Sequence, residues 1–367
     1  MKIIADQNMP SVGQLFAQYG DVKLLPGRTI TSADLIDAEL LLVRSVTRVD
    51  RQLLEGTKVR FVGSATIGTD HIDLDYLAEA GIQFAHAPGC NAEAVVQYDL
   101  SVMAELMPQW RSKKVGIVGC GNVGGRLYKR LCDMGVSCAV YDPLLEVGTI
   151  ADIGDLASVL ACDIICLHTP LTIVGDYPSH HLFNAEVLAS LKSDVLLINA
   201  GRGAVIDNRA LLDAFKGGFK GKVALDVWEA EPELDRNLMD YVAIATPHIA
   251  GYSLEGKIRG TEMVHQAFRR WAGLADWQAD LNASLRSSEA ESVLQVDNIN
   301  QAILHSYSVV ADDQRMRSAM ADTAMPAAQS FDNLRRDYPV RREFGYYSID
   351  PNDPCAEDCS RLGFAIL

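Results

Sequence analysis

The chain has 367 residues, of which 49% are hydrophobic and 22% are charged. At about 150 residues per domain this is an ordinary globular mixture for two or three domains, which excludes wholesale disorder and fibrous repeats. The 33 Lys and Arg residues against 48 Asp and Glu residues give a net charge of −15, which disfavours nucleic acid and anionic lipid as partners.

Neither a membrane span nor an export signal is expected. No apolar run approaches the ~20 residues that cross a bilayer, and residues 1–6 are predicted to form a strand rather than a signal peptide. The eight cysteines show no zinc-type CxxC pairing, so we expect reduced thiols in a cytoplasmic protein. Cys355 and Cys359 leave a metal or redox role open, whereas the histidines form no metal-ligand pattern and no metal is expected.

Short apolar strands alternate with helix-like segments through most of the sequence. Their near-continuous runs of Val, Ile and Leu predict parallel sheets covered by helices on both faces. The predicted strands are 2–5, 40–43, 60–63, 115–118, 137–141, 164–167, 195–199 and 222–226.

The pattern of predicted strands and helices changes after a polar stretch at 282–292, which we interpret as a boundary between domains. Beyond it we predict helices at 293–310 and 327–337 and strands at 342–349 and 362–367. About 80 residues of this kind are enough for a small α+β domain rather than a flexible tail.

The strongest local signal is VGIVGCGNVG at 115–124, a GxGxxG motif between a predicted strand and a predicted helix. Gly119 permits the tight turn, Gly121 lets the backbone approach a pyrophosphate, and Gly124 lets the helix pack on the strand. Asp142 ends the next predicted strand, where a carboxylate hydrogen-bonds ribose hydroxyls and repels a 2′-phosphate. The sequence therefore predicts a dinucleotide site that prefers NAD to NADP; the alternative, a flavodoxin-like turn without a ligand, does not explain Asp142.

Three polar side chains follow predicted strands farther along the chain. Arg202 can hold a carboxylate with two parallel N–H bonds, and His248 can exchange a proton near neutral pH. Glu231 can orient the imidazole and stabilise its charged form. Singly, each is commonly structural, but together behind a dinucleotide site they suit oxidation of an alcohol beside a carboxylate, with NAD as hydride acceptor.

At these residues the sequence resembles the D-isomer-specific 2-hydroxyacid dehydrogenase family over about residues 1–275. The resemblance implies that Arg202, Glu231 and His248 are the catalytic residues. It also implies that Asn122 and Val123 lie at the NAD pyrophosphate. The stretches that carry the resemblance are 119–124, 167–171, 199–207, 225–232 and 247–251, and further NAD contacts are implied at Thr169, Asp226 and Gly251.

The family also implies a fold: two doubly wound parallel-sheet domains of the Rossmann or flavodoxin type, here with a small C-terminal α+β domain. We expect a substrate-binding domain at 1–92 and 256–282. The NAD-binding Rossmann domain would occupy 93–255, and a dimerisation domain 286–367.

Within the family, the stretches 42–47, 61–75, 87–91 and 248–257 are most similar to the branch that acts in vitamin B6 biosynthesis. This likeness implies a homodimer that oxidises 4-phospho-D-erythronate to (R)-3-hydroxy-2-oxo-4-phosphooxybutanoate. It also implies substrate contacts from Ser45, Thr66 and Tyr252. Two alternatives stay open: the same chemistry on D-3-phosphoglycerate, and a non-catalytic NAD-sensing protein of the same fold. The sequence leaves open whether Arg44, Arg341 or Arg342 binds the phosphate.

Overall fold

The computed structural model describes residues 1–146, 148–276, 292–322 and 324–367. They form two compact units. The first comprises Met1–Asn91 and the described part of Ser253–Ala290, and the second comprises Ala92–Tyr252 and the described part of Glu291–Leu367. The predicted boundary stretch 282–292 lies outside the described residues except for its last residue.

The first unit is built on a five-stranded parallel sheet with the order β2-β1-β3-β4-β5. Its strands and helices alternate along the chain, as predicted. Asp50 and Asp73 accept N–H bonds from the first turns of two of these helices. The elements are β1 (Lys2–Asp6), α1 (Val12–Phe16), β2 (Asp21–Leu25), α2 (Ser32–Leu35), β3 (Leu40–Val43), α3 (Arg51–Leu54), β4 (Phe61–Ser64), α4 (Leu74–Glu79) and β5 (Gln83–His86).

The second unit is built on a six-stranded parallel sheet with the order β11-β10-β9-β8-β6-β7. The strand order reverses between β6 and β8, and in open α/β sheets ligands bind outside the carboxyl ends of strands at such a point. The elements are α5 (Ala92–Leu106), β6 (Val115–Val118), α6 (Gly124–Asp133), β7 (Cys138–Tyr141), α7 (Leu156–Leu160), β8 (Ile164–Leu167), α8 (Ala185–Ser190), β9 (Leu196–Asn199), α9 (Asn208–Lys216), β10 (Lys222–Leu225), α10 (Arg236–Tyr241) and β11 (Ile244–Ala245).

The chain then returns to the first unit through α11 (Leu254–Trp271). Ile258, Val264 and Phe268 of this helix join the apolar core over the sheet. A Cβ atom on Gly63 of β4 would lie 2.3 Å from Val264 Cγ1, so the glycine allows the helix to lie directly on the strand. Among the described helices α11 is the longest, with 18 residues, and none has the length and apolar character that a membrane crossing requires.

The C-terminal residues belong to the second unit and form a three-stranded parallel sheet with the order β12-β13-β14. Ile303, Phe344 and Leu362 share an apolar core with residues of α5. The predicted fold class, two doubly wound sheets with a small C-terminal α+β part, is confirmed. The C-terminal elements are β12 (Ser292–Leu294), α12 (Ile299–Ser306), α13 (Val309–Ala321), α14 (Ala327–Arg336), β13 (Tyr347–Ile349), α15 (Ala356–Leu362) and β14 (Ala365–Ile366).

Local predictions fail in this C-terminal part. The single helix predicted at 293–310 is wrong, because Asn298 and Ser308 each cap a new helix and divide the stretch into β12, α12 and the start of α13. The strand predicted at 362–367 is shortened to β14. Gly363, with φ +100°, ends α15 at Leu362 in the left-handed conformation. The strand predicted at 342–349 is likewise reduced to β13, after a 3₁₀ turn at Phe344–Tyr346.

Candidate active site

The glycine-rich turn between β6 and α6 has the shape of a phosphate cradle. Gly119 has φ +85°, a backbone conformation that L side chains rarely adopt. A Cβ atom on Gly124 would lie 1.9 Å from the Gly119 carbonyl oxygen, so only glycine lets the helix begin this close to the turn. A Cβ atom on Gly121 would meet no protein atom within 4 Å, so the backbone here faces open space that a ligand can enter.

Asp142 is held beside this turn at the carboxyl end of β7. Its Oδ2 atom accepts the Cys120 N–H at 2.8 Å, and its Oδ1 atom accepts the Leu144 N–H at 3.1 Å. These two bonds fix the carboxylate next to the glycine loop, at the place where a Rossmann acid meets the adenosine ribose.

A third strand supplies Thr169, which follows β8. The Thr169 hydroxyl oxygen is buried and has no hydrogen-bond partner among the described residues. A Cβ atom on Gly119 would lie 2.9 Å from the Thr169 backbone nitrogen, so this residue borders the glycine turn. An orphaned buried hydroxyl, an open glycine and a fixed carboxylate together suit a dinucleotide. The predicted residues at this edge of the sheet are Gly119, Gly121, Asn122, Val123, Gly124, Asp142 and Thr169.

His248 and Glu231 form a hydrogen-bonded pair, with His248 Nδ1 2.6 Å from Glu231 Oε1. Burial by itself would raise the pKa of Glu231, but the charge and hydrogen bond of His248 and the charge of Arg335 lower it below its usual range. The carboxylate is therefore ionised at neutral pH. It holds the imidazole by Nδ1 and leaves Nε2 for proton exchange.

Asp226 organises the loop that carries His248. Its carboxylate accepts hydrogen bonds from the Thr246 hydroxyl at 2.7 Å, the Ile249 N–H at 2.8 Å and the Ala250 N–H at 2.9 Å. Its carbonyl accepts the His248 N–H at 2.7 Å. These bonds hold His248 at φ +57° and place Gly251 directly after the loop. Burial is the largest effect on the Asp226 carboxyl and raises its pKa.

Arg202 follows β9, so the loops that carry Arg202, Glu231 and His248 leave three neighbouring strands at their carboxyl ends. The Arg202 Nη1 atom donates to the Gly201 carbonyl at 2.9 Å, and the Arg202 carbonyl accepts the Asn199 amide at 3.0 Å. A Cβ atom on Gly203 would lie 2.0 Å from the Trp228 carbonyl carbon, so glycine is required where this loop packs on its neighbour.

The three predicted substrate residues lie in different units. Ser45 and Thr66 follow β3 and β4 of the first unit, and Tyr252 ends the second segment of the chain. Thr66 Oγ1 lies 2.7 Å from Ser64 Oγ and donates to the Gly68 carbonyl at 3.0 Å. The Tyr252 ring packs edge-on against Tyr338, with centroids 5.7 Å apart.

Arg44 and Lys257 form a cationic pair in the first unit. Arg44 follows β3, and its Nε atom lies 3.1 Å from Asp6 Oδ2. Lys257 lies in the first turns of α11, which passes close to the loop after β4: a Cβ atom on Gly260 would lie 3.0 Å from the Ala65 carbonyl oxygen. Burial, with a smaller contribution from the Arg44 charge, lowers the pKa of Lys257 to about 8.

Arg341 and Arg342, which the sequence left open as phosphate ligands, are both buried. Arg341 donates to Gln97 Oε1 at 3.2 Å, to the Ala250 carbonyl at 3.2 Å and to the Ala94 carbonyl. It thus connects the C-terminal region to α5 and to the loop that carries His248.

Several polar groups of the site were not found from the sequence. Asp99 of α5 lies under the cofactor loop, with Oδ2 3.1 Å from His168 Nε2, and both side chains are buried. The one feature of the sequence that could have indicated Asp99 is an acidic residue among the apolar residues of this helix. Arg335 of α14 lies beside Tyr252 and had no signal at all.

The histidine prediction needs a correction. His180, His181 and Glu229 come together, with ligand atoms within 4.8 Å of one another, and could hold a metal ion. His181 already contacts Glu229 through Nε2 at 2.6 Å and lies 3.7 Å from Asp207 through Nδ1. Sequence spacing did not show the group because its members come from two separate loops. The eight cysteines are free thiols, and the Sγ atoms of Cys355 and Cys359 are 3.7 Å apart.

The chain is similar to a known family of dehydrogenases. Residues 93–250 match the family model described as D-isomer specific 2-hydroxyacid dehydrogenase, NAD binding domain. Residues 282–363 match a domain of unknown function, DUF3410. A cofactor-bound 3-phosphoglycerate dehydrogenase from Entamoeba histolytica has the same fold, with a TM-score of 0.65 at 22% identity over 76% of this chain and 98% of that one. The fold and the site thus define an NAD-dependent 2-hydroxyacid dehydrogenase.

Full-length relatives give the particular family. The erythronate-4-phosphate dehydrogenase of Teredinibacter turnerae is 46% identical over 100% of this chain and 99% of its own length. That of Marinobacter nauticus is 48% identical over 94% of this chain and 93% of its own length. The chain belongs to the erythronate-4-phosphate dehydrogenase family, and its cofactor is NAD.

Proposed function

We propose that the protein oxidises 4-phospho-D-erythronate to (R)-3-hydroxy-2-oxo-4-phosphooxybutanoate in the biosynthesis of pyridoxal 5′-phosphate. The observation that carries the reaction type is the His248–Glu231 pair at 2.6 Å, on strand-end loops next to the one that carries Arg202. The names of the full-length relatives support the choice of substrate.

The chemistry divides among three side chains. Arg202 holds the substrate carboxylate and the C2 oxygen. His248 Nε2 takes the proton of the C2 hydroxyl as the C2–O bond becomes a carbonyl, and Glu231 stabilises the resulting imidazolium. NAD, when bound, accepts the hydride that leaves C2. Glycines 119, 121 and 124 with Asn122, Val123, Asp142, Thr169, Asp226 and Gly251 would hold it.

We further propose that Arg44 and Lys257 bind the substrate phosphate, with Ser45, Thr66 and Tyr252 as further substrate contacts. The Arg44 charge lowers the pKa of Lys257, so the two cations repel each other and a bound dianion would stabilise both. The pair therefore suits a phosphate better than a neutral sugar-acid terminus.

The assembly and location that we propose are a cytoplasmic homodimer, in which residues 286–367 supply the dimer contacts. Exposed apolar side chains in this region support such a surface, among them Val340 at 76% and Leu367 at 57% exposure. Eight free thiols suit a reducing compartment. Sedimentation equilibrium tests the assembly: a mass of 40.0 kDa rather than twice that value would contradict it.

The test of substrate choice is NADH formation at 340 nm with purified protein and three acids in parallel. We expect turnover of 4-phospho-D-erythronate and little or none of D-3-phosphoglycerate or unphosphorylated erythronate. Turnover of D-3-phosphoglycerate alone would overturn the substrate assignment. NAD binding without turnover in either direction would instead support an NAD-sensing protein.

A further inference from the structure

The C-terminal helix α14 places an arginine next to the candidate catalytic pair. The guanidinium carbon of Arg335 lies 5.8 Å from the centre of the Tyr252 ring, and its side chain also forms a hydrogen bond with Tyr252. The Phe331 ring, one turn earlier, lies 5.9 Å from the same carbon. The Nε atom of Arg335 is buried and has no hydrogen-bond partner among the described residues.

The carboxylate of Glu231 likewise has one oxygen atom without a hydrogen-bond partner among the described residues. Its Oε1 atom binds His248, whereas its Oε2 atom is buried and, in the described part of the chain, has no partner. The two side chains act on each other electrostatically: the Arg335 charge lowers the pKa of Glu231. Burial would lower the pKa of Arg335, but Tyr252 and Glu231 raise it. A cation and a carboxylate, both half-buried, thus act on each other, and each has one buried atom without a hydrogen-bond partner among the described residues.

We propose that Arg335 is a positioning residue for acid–base catalysis, which places its charge on the Oε2 side of Glu231 and acts through it on His248. The inference rests on the proposed function in assigning His248 as the proton acceptor. It gives the C-terminal region, which matches the domain of unknown function DUF3410, a part in the chemistry. Arg335 acts through Glu231 and is not assigned a contact with the substrate.

The sign of the effect follows from the charges around the pair. Glu231 faces His248 and Arg335; His248 also faces Asp226, and Arg335 also faces Tyr252 and Asp226. Arg335 is the cation of this group that stays charged throughout the working pH range. Removing it takes away repulsion of the imidazolium, so a variant without this charge should hold the His248 proton to higher pH than the wild-type protein does.

The experiment compares Arg335→Met with Arg335→Lys in the full-length protein, and uses Arg336→Met as the matched control. Arg336 is the next residue of the same helix, is exposed and pairs with Asp337. Imidazole titration of His248 by NMR needs no substrate and reads the effect directly. We expect an upward shift of about one unit in Arg335→Met, a much smaller shift in Arg335→Lys, and none in Arg336→Met.

The pH dependence of turnover supplies a second readout, because the rate of oxidation and the rate of reduction should change in opposite directions. Oxidation needs the neutral imidazole, so in Arg335→Met its acidic limb moves to higher pH and the rate below the limb falls. Reduction of the oxo acid needs the imidazolium, so its basic limb also moves to higher pH and the rate above that limb rises. Loss of structure would slow both directions at every pH.

Two results would overturn the proposal. An unchanged His248 titration in Arg335→Met would remove the electrostatic role, whatever happens to the rate. A large rise in KM for the phosphorylated acid with both limbs unmoved would make Arg335 a substrate ligand instead. Failure of the wild-type protein to oxidise the proposed substrate would count against the proposed function, while the titration would still decide the role of Arg335.

Discussion

The Nδ1 atom of His248 lies 2.6 Å from the Oε1 atom of Glu231, and this contact fixes which imidazole nitrogen can exchange a proton with a ligand. The backbone of the same histidine is held at φ +57° by its N–H bond to the Asp226 carbonyl. The side chain and the backbone of His248 are thus both held in place before any ligand binds, and a general base requires such a fixed orientation.

Replacing His248 by Asn tests this role. We expect kcat for oxidation to fall at least about a hundredfold, because no group remains to take the hydroxyl proton. The dissociation constant of NAD, measured by fluorescence titration, should stay nearly unchanged. His305→Asn, on the exposed face of α12, is the control. A loss of less than about a hundredfold in kcat would make His248 something other than the base.

The glycine turn predicts opposite outcomes for two similar substitutions. Gly121→Ala adds a methyl group that meets no protein atom, so the fold should be kept while KM for NAD rises about tenfold or more. Gly124→Ala drives a Cβ atom to 1.9 Å from the Gly119 carbonyl oxygen and should destabilise the protein by about 1–3 kcal/mol. Thermal unfolding and cofactor kinetics separate the two effects. Equal stability losses would contradict the geometry of the turn.

Asp142 should set the choice between NAD and NADP. Asp142→Asn keeps a group of the same size beside Cys120 but removes the charge that repels a 2′-phosphate. We expect the ratio of kcat/KM for NADP to that for NAD to rise about tenfold, equivalent to ~1.4 kcal/mol. Asp152→Asn, an exposed change in the same unit, is the control. An unchanged ratio would place the adenosine ribose elsewhere.

Lys257 gives the proposed phosphate site a pH dependence. Its pKa of about 8 means that the ammonium loses its charge as pH rises through 8, so kcat/KM for the phosphorylated acid should fall above that pH. Lys257→Met should raise KM for this acid about tenfold or more and reduce the fall above pH 8. Lys58→Met, on an exposed ion pair of the same unit, is the control. Equal losses with unphosphorylated erythronate would show that Lys257 does not bind the phosphate.

His265 predicts acid sensitivity of the first unit. It is fully buried against the Tyr19 hydroxyl, 3.0 Å from Nε2, and burial, with the Arg269 charge, lowers its pKa to about 4. The unfolded chain binds this proton near pH 6.5, so stability is complete above that pH and falls as pH decreases towards 4. From pH 7 to 5 the loss is about 2 kcal/mol. Urea unfolding at both pH values checks it, and the dependence should be smaller in His265→Gln.

Much of the site could be predicted because its signals are local. A glycine turn followed by an acid predicts a dinucleotide site. Polar residues directly after apolar strands are predicted to lie at the carboxyl edge of a parallel sheet. Asp142, Arg202 and His248 are of this kind, and each lies at the carboxyl end of its strand.

The remainder depends on contacts between distant parts of the chain. Asp99 of α5 meets His168, which follows β8, and Arg335 reaches Tyr252 because α14 folds back on the same unit. The spacing of residues along the sequence does not predict contacts of this kind. The helix predicted at 293–310 failed for a different reason: apolar periodicity continued across two helix caps, at Asn298 and Ser308, that end one element and begin another.

The most direct test of the account follows the hydrogen at C2. 4-Phospho-D-erythronate carrying deuterium at C2 is incubated with the protein and NAD, and the reduced cofactor and the acid are analysed by mass spectrometry. The account predicts one deuterium in the reduced cofactor for each oxo acid formed. Oxo acid without deuterium in the cofactor, or no oxo acid in the presence of bound NAD, would contradict it.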